Sequence, residues 1–212
     1  YHTNLHSVHP TVAEYLEALG WDEGVAAFEA WEEPGLQDVA AWLGEPPACY
    51  AQAGGNWAPQ AFPVLRRWGI PFHYSEGWNA YVDVEGRPHF LCGLLHWGAP
   101  VAAPKPLLNR LPAEGPRWRA LLEGELRRLR ERGGGFLNIV SHPTELVTTR
   151  FWDAVNFAGG RNRPPDLWEP PPLRPAEEVR EALAAFLEVV RWLRSQPDVV
   201  FVGARDLVAM FP

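Results

Sequence analysis

The chain has 212 residues, 47% of them hydrophobic, and a formal net charge of −7. That length supplies one large core or two small ones, and the acidic balance argues against a nucleic-acid binder, which needs a basic patch. No run of about eighteen apolar residues is present to span a membrane. Cys49 and Cys92 are too few for a disulfide framework and read as reduced core thiols, with a single bridge between them as the alternative.

The chain opens on Tyr1-His2-Thr3-Asn4-Leu5-His6. If this stretch turns into a helix, His2 and His6, at i and i+4, share one face. Two neutral imidazoles held that way reach one divalent ion, each at about 2.0–2.1 Å. Thr3, Asn4 and Ser7 stand nearby to give supporting hydrogen bonds. The alternative is two solvated histidines near a chain end. His6 and His9, at i and i+3, form a competing pair, but Pro10 follows it, and His2 with His6 is preferred.

Thr11 then caps a helix over residues 12–19, closed by Gly20. Residues 22–33 form a second helix ended by Pro34-Gly35, and residues 36–43 a third, with Gly44 at its end. A short apolar strand, 48–51, breaks at Gly54-Gly55. A helix over 58–68 stops at Gly69, and strands follow at 70–73, 81–84 and 89–95, with a turn at Glu85-Gly86. Residues 100–116 are Pro-rich and irregular. Residues 117–132 form an amphipathic helix with Leu121, Leu122, Leu126 and Leu129 on one face; its interleaved Arg and Glu read as a solvated face. After Gly133-Gly134-Gly135, residues 136–140 read as a buried strand running into Ser141-His142-Pro143. A polar, Pro-rich loop covers 159–175, and a helix over 176–195, a strand over 199–202 and a helix over 204–210 close the chain.

Helices alternate with short strands, and no low-complexity linker separates two halves. The economical solution is one α/β domain over residues 1–212 with a mostly parallel sheet, open or closed into a barrel. Chemistry in such folds gathers at the carboxyl ends of strands. His142 and the stretch 52–57 both follow a predicted strand directly. Pro143 keeps the backbone at His142 extended, and a histidine there suits a general acid or base; a partly buried, carbonyl-bonded histidine is the plainer reading. His73, His89 and His96 lie on or near apolar strands without acidic company and read as structural. Most of the eleven Trp residues read as core, although aromatic rings also line carbohydrate sites.

His2-Thr3-Asn4-Leu5-His6 resembles the His-Ser/Thr-x-x-His element of the polysaccharide deacetylase family, also called NodB-homology or carbohydrate esterase family 4. The stretch Asn138-Ile139-Val140-Ser141-His142-Pro143 is similar to that family's last motif, a strand ending in a His. Tyr50-Ala51-Gln52-Ala53-Gly54-Gly55-Asn56-Trp57 stands in the place of its Arg-Pro-Pro-Tyr/Gly loop. The resemblance implies a distorted (β/α) barrel and a metal-dependent hydrolase that removes acetyl groups from N-acetylated sugars. It also implies His2 and His6 as metal ligands, His142 as general acid, and Gly55, Asn56 and Trp57 around the acyl group.

Zn²⁺ suits two imidazoles and a carboxylate, with Co²⁺ or Ni²⁺ as alternatives. The family's Asp-Asp motif, source of the third ligand and the base, is expected upstream of Tyr1, so that the chain lacks the barrel's first strand or strands. The family's loop Arg is also missing, with Ala51 or Gln52 near its place. The alternatives are hydrolysis of small non-sugar amides or imides, and a carbohydrate-binding relative without turnover.

Overall fold

Short apolar runs between helices assemble into a four-stranded sheet. The computed structural model describes residues 1–6, 8–53, 57–75, 87–98, 117–139, 142–159 and 161–211. Among these it is α/β, with eight α-helices and one mixed sheet. The chain divides into two compact units, Tyr1–Val101 with Val202–Pro212, and Ala102–Phe201.

In the first unit, β1 (Cys49–Ala51), β2 (Phe72–Ser75), β3 (His89–Leu91) and β4 (Leu94–Gly98) lie in the order β1-β2-β4-β3. β1, β2 and β4 run parallel, and β3 pairs antiparallel with β4. The apolar run 89–95, expected as one strand, is a hairpin. Cys92 and Gly93, both at positive φ, turn the chain between the paired residues Leu91 and Leu94, as a two-residue hairpin loop requires. Residues 81–84, expected as a strand, lie outside the described residues.

The free edge of β1 is addressed by the first residue. The Tyr1 amino group donates to Cys49 O at 2.8 Å, and Ala51 N donates to Tyr1 O at 2.9 Å. That is the bond pair exchanged by parallel strands, centred here on Tyr50. His2 therefore leaves the sheet at its carboxyl edge.

α1 (Val12–Glu17) starts with the capping box of Thr11 and Glu14. α2 (Trp21–Leu43) is a single helix and not two, because Pro34 lies inside it. Proline removes one helical hydrogen bond and crowds the preceding turn. Side chains of the first residues bond to carbonyls in that turn: Asn4 Nδ2 donates to Trp31 O at 3.0 Å, and the Tyr1 hydroxyl to Glu32 O at 2.9 Å. α3 (Ala61–Arg67) covers the sheet through the buried Ala61, Phe62, Val64 and Leu65. α8 (Ala204–Ala209) joins this unit through Arg205, which reaches Pro46 O at 3.0 Å.

The core of this unit is Phe28, Tyr50, Phe62, Leu65, Ile70 and their neighbours. Its middle holds two histidines. His73 on β2 and His96 on β4 are in register, with Nδ1 atoms 2.9 Å apart and both side chains buried. One imidazole donates and the other accepts, which excludes charge on both rings, and burial disfavours charge on either.

In the second unit, α4 (Arg117–Glu131) and α7 (Ala176–Arg194) bury Trp118, Leu122 and Leu126 against Val189 and Leu193. Two short helices that the sequence did not signal, α5 (Pro143–Val147) and α6 (Trp152–Asn156), lie between them in the chain. The Pro-rich loop after α6 is pinned by the buried Asn156, whose carboxamide accepts from Glu169 N at 2.9 Å and donates to Glu169 O at 3.1 Å. Two expected strands do not form. Residues 136–139 and 199–202 belong to no ladder, although Leu137, Ile139 and Val199 pack on the helix pair. A strand needs a neighbouring strand in register as well as an apolar run.

Burial, and then the neighbouring His96, push the His73 value down from the usual 6.5 to about 3. The unfolded chain therefore takes up a proton that the folded chain refuses. The stability involved is complete above about pH 6.5 and falls by about 1.4 kcal/mol per pH unit from there toward about pH 3. Urea titrations between about pH 7.5 and 5 are expected to show a flatter pH dependence for His73→Gln than for the wild type. Parallel slopes would disprove this assignment.

Candidate metal centre

The first six residues reach a two-imidazole arrangement by a route other than the helix that their spacing suggested. Residues 1–6 are not helical. Thr3 and His6 take positive φ, 57° and 41°, and the chain doubles back so that the two imidazole centroids lie 4.9 Å apart at 64°. Positive φ at a β-branched residue is strained by about 1–3 kcal/mol and persists only where the surroundings enforce it.

The enforcing group is Glu32. Its carboxylate is fully buried and accepts three hydrogen bonds from the opening segment: from the Tyr1 hydroxyl at 2.6 Å, from the Thr3 hydroxyl, and from Asn4 N at 2.9 Å. Thr3 and Asn4 do give supporting bonds, as their types suggested, but to a helix and not to the imidazoles. Burial raises the Glu32 value from its ordinary level, against the opposing pull of these hydrogen bonds. Burial and the Glu32 carboxylate together push the Tyr1 hydroxyl far up, so it stays a donor. Sequence reasoning passed over Glu32. The available signal was its place on the buried stripe Gly24, Phe28, Glu32, Gly35 of α2, where an acidic side chain has to find partners.

His2 is fixed separately. Its Nδ1 lies 2.8 Å from Ala51 O, a carbonyl that only a protonated Nδ1 can satisfy, which leaves the Nε2 lone pair free to ligate. His2 is exposed and His6 half-buried. His9 turns instead to Glu14, with Nδ1 2.7 Å from Oε2. Among the described residues, no group of three or more His, Cys, Asp and Glu side chains gathers as a metal site. The pair thus fits two positions of a ligand set.

Gly55 and Asn56 lie outside the described residues. Trp57 packs against Phe62 at 5.5 Å and stands edge-on to His73 and His96. It also lines a cleft of about 340 Å³ together with Glu14, Glu17 and Gln60. Gln52, directly after β1, is 2% exposed, and neither polar atom of its carboxamide has a hydrogen-bond partner among the described residues.

His142 belongs to the second unit. It precedes α5 in an extended conformation, following an irregular segment and not the expected strand; residues 140 and 141 lie outside the described residues. Its Nδ1 is 3.2 Å from Glu145 Oε2, and its ring packs on Phe151 with centroids 4.6 Å apart. A carboxylate on Nδ1 sets the tautomer and leaves Nε2 to exchange protons. Glu145, three residues on, is a partner that the motif around His142 did not announce.

Comparison with known proteins finds no family model, no curated protein and no solved structure that matches the chain.

Gly35 makes the close approach of the opening turn to α2 feasible. A Cβ there would stand 2.6 Å from Asn4 Oδ1 and 2.7 Å from the Tyr1 hydroxyl oxygen. Gly35→Ala is therefore expected to push the turn off the helix, at about 1–3 kcal/mol, despite alanine's better helix propensity. Chemical denaturation checks the cost. A variant as stable as the wild type, or more so, would contradict this packing.

Proposed function

We propose that the chain is a metal-dependent amide hydrolase of the polysaccharide deacetylase type, acting on N-acetylated sugars and built on that family's distorted (β/α) barrel. The observation that carries this reading is the His2/His6 pair. The two imidazoles meet edge-on, with centroids 4.9 Å apart, beside the carboxyl end of the parallel strand β1, and Ala51 O holds His2 in the tautomer that ligates through Nε2. The supporting observation is the His142–Glu145 pair.

In this reading His2 and His6 hold a divalent ion, Zn²⁺ by preference with Co²⁺ or Ni²⁺ as alternatives. The ion would supply Lewis acidity toward the amide carbonyl and make water acidic enough to attack. For His142, which belongs to the second unit and has its Nδ1 oriented by Glu145, the general-acid role rests on the resemblance of its motif alone. Gln52, near the same sheet edge as His2, offers a buried carboxamide without a partner among the described residues, a kind of group that a bound amide satisfies.

Metal analysis of the full-length protein tests the reading most directly. Close to one equivalent of a divalent ion per chain is expected, with at least about 10-fold weaker binding in His2→Ala and His6→Ala; a wild type that retains no ion sinks the proposal. His142→Ala is expected to keep the metal and to lose about 10²–10⁴-fold in turnover of an N-acetylated sugar. Loss of the metal in that variant would make His142 a ligand and overturn its role as general acid.

A further inference from the structure

We infer that Glu32 is the positioning residue of the His2/His6 pair: its carboxylate takes three donors from residues 1–4 and so holds the left-handed turn that brings His6 over His2. The inference rests on the metal-site reading for its consequence but on geometry alone for its cause.

The geometry leaves little freedom. Glu32 sits at the middle of α2, on the helix face turned to the core, at the turn that Pro34 interrupts. Its two carboxylate oxygens divide the donors: Oε1 takes the Thr3 hydroxyl, and Oε2 takes the Tyr1 hydroxyl and Asn4 N. The backbone around the same turn takes part as well: Asn4 Nδ2 donates to Trp31 O, and Glu32 O shares the single Tyr1 hydroxyl proton with Oε2. Four donor groups thus tie three residues of the opening segment, Tyr1, Thr3 and Asn4, to one turn of helix. Tyr1 and Thr3 flank His2 in sequence, and Thr3 is one of the two positions of positive φ that reverse the chain. None of the four donors is an imidazole; the carboxylate acts on the rings through the backbone. A carboxylate with all its donors in place is also the one arrangement that makes burial of a charge tolerable.

A neutral amide cannot replace it. Glutamine has one acceptor oxygen and presents an N–H group where a hydroxyl or backbone donor already points. Glu32→Gln is therefore expected to release the turn while leaving α2 and the core of Phe28 and Tyr50 in place. A supporting residue of this kind typically controls metal affinity by about 10- to 100-fold.

The test measures two quantities on the full-length protein. One is Zn²⁺ affinity, by competition with a chelating dye. The other needs no metal: the proton–proton NMR contact between the His2 and His6 rings. Glu32→Gln and Thr3→Val should each weaken Zn²⁺ binding by about 10- to 100-fold and abolish the ring contact, while Thr3→Ser, which keeps the hydroxyl, should retain both. Phe28→Leu, a core change one helical turn before Glu32 that removes none of these donors or acceptors, should lower the melting temperature without altering either readout.

Retention of the ring contact and of affinity in Glu32→Gln or Thr3→Val overturns the inference. So does an equal loss in Phe28→Leu, which would reduce the effect to general stability. A wild type that binds no Zn²⁺ but shows a ring contact that Glu32→Gln loses would end the metal reading and leave the positioning role standing. A wild type without the ring contact ends the positioning role itself.

Discussion

One buried carboxylate organises the part of this protein where chemistry is expected. Glu32 is fully enclosed in an apolar face of α2, a position that is unfavourable for a charge unless its lone pairs are taken up. Tyr1, Thr3 and Asn4 take them up. In return, three residues with no regular secondary structure acquire a fixed path over the helix. Pro34 and Gly35 take part in the same arrangement. The proline interrupts the helical ladder in a turn where side chains of the opening segment bond to carbonyls, and the glycine leaves room for the segment to lie close.

The same path puts His2 at the carboxyl edge of the sheet. Tyr1 makes parallel-type hydrogen bonds on either side of Tyr50, so the next residue emerges where β1 ends, beside Ala51 O. Edges of this kind collect functional groups because side chains from successive loops converge there while the strands behind them stay rigid. His142 is oriented by a different device, a glutamate three residues away at the start of a short helix.

The histidines of this chain show how environment decides the use of one side chain. His73 and His96 face each other in the core beside Phe62 and Trp57, and burial suppresses the charged form of His73. They contribute packing and the hydrogen bond between them. His2 is exposed and held by a carbonyl, with its other nitrogen free. The tryptophans divide in a similar way: Trp118 is buried against α7, Trp152 and Trp168 meet edge to face near Asn156 in the chain, and Trp42 stands 86% exposed near the end of α2.

Local sequence was enough for the α/β class, the parallel core of the sheet, the capped start of α1, the helices α4 and α7, and the pairing of His2 with His6 as the feature to examine. These are written in local terms: periodicity, capping residues, and spacing along the chain. Tertiary contacts settled the rest. Pro34 reads as a helix end, yet the helix continues, with neighbouring carbonyls bonded to residues about thirty positions away. Apolar runs at 136–139 and 199–202 read as strands but join no ladder. The four-residue spacing of His2 and His6 suggested a helix face; a strained turn produces the approach instead, held by a glutamate that no local pattern connects to it. A strand pair, a buried charge and a strained turn each depend on a partner distant in sequence, and only the folded chain brings that partner near.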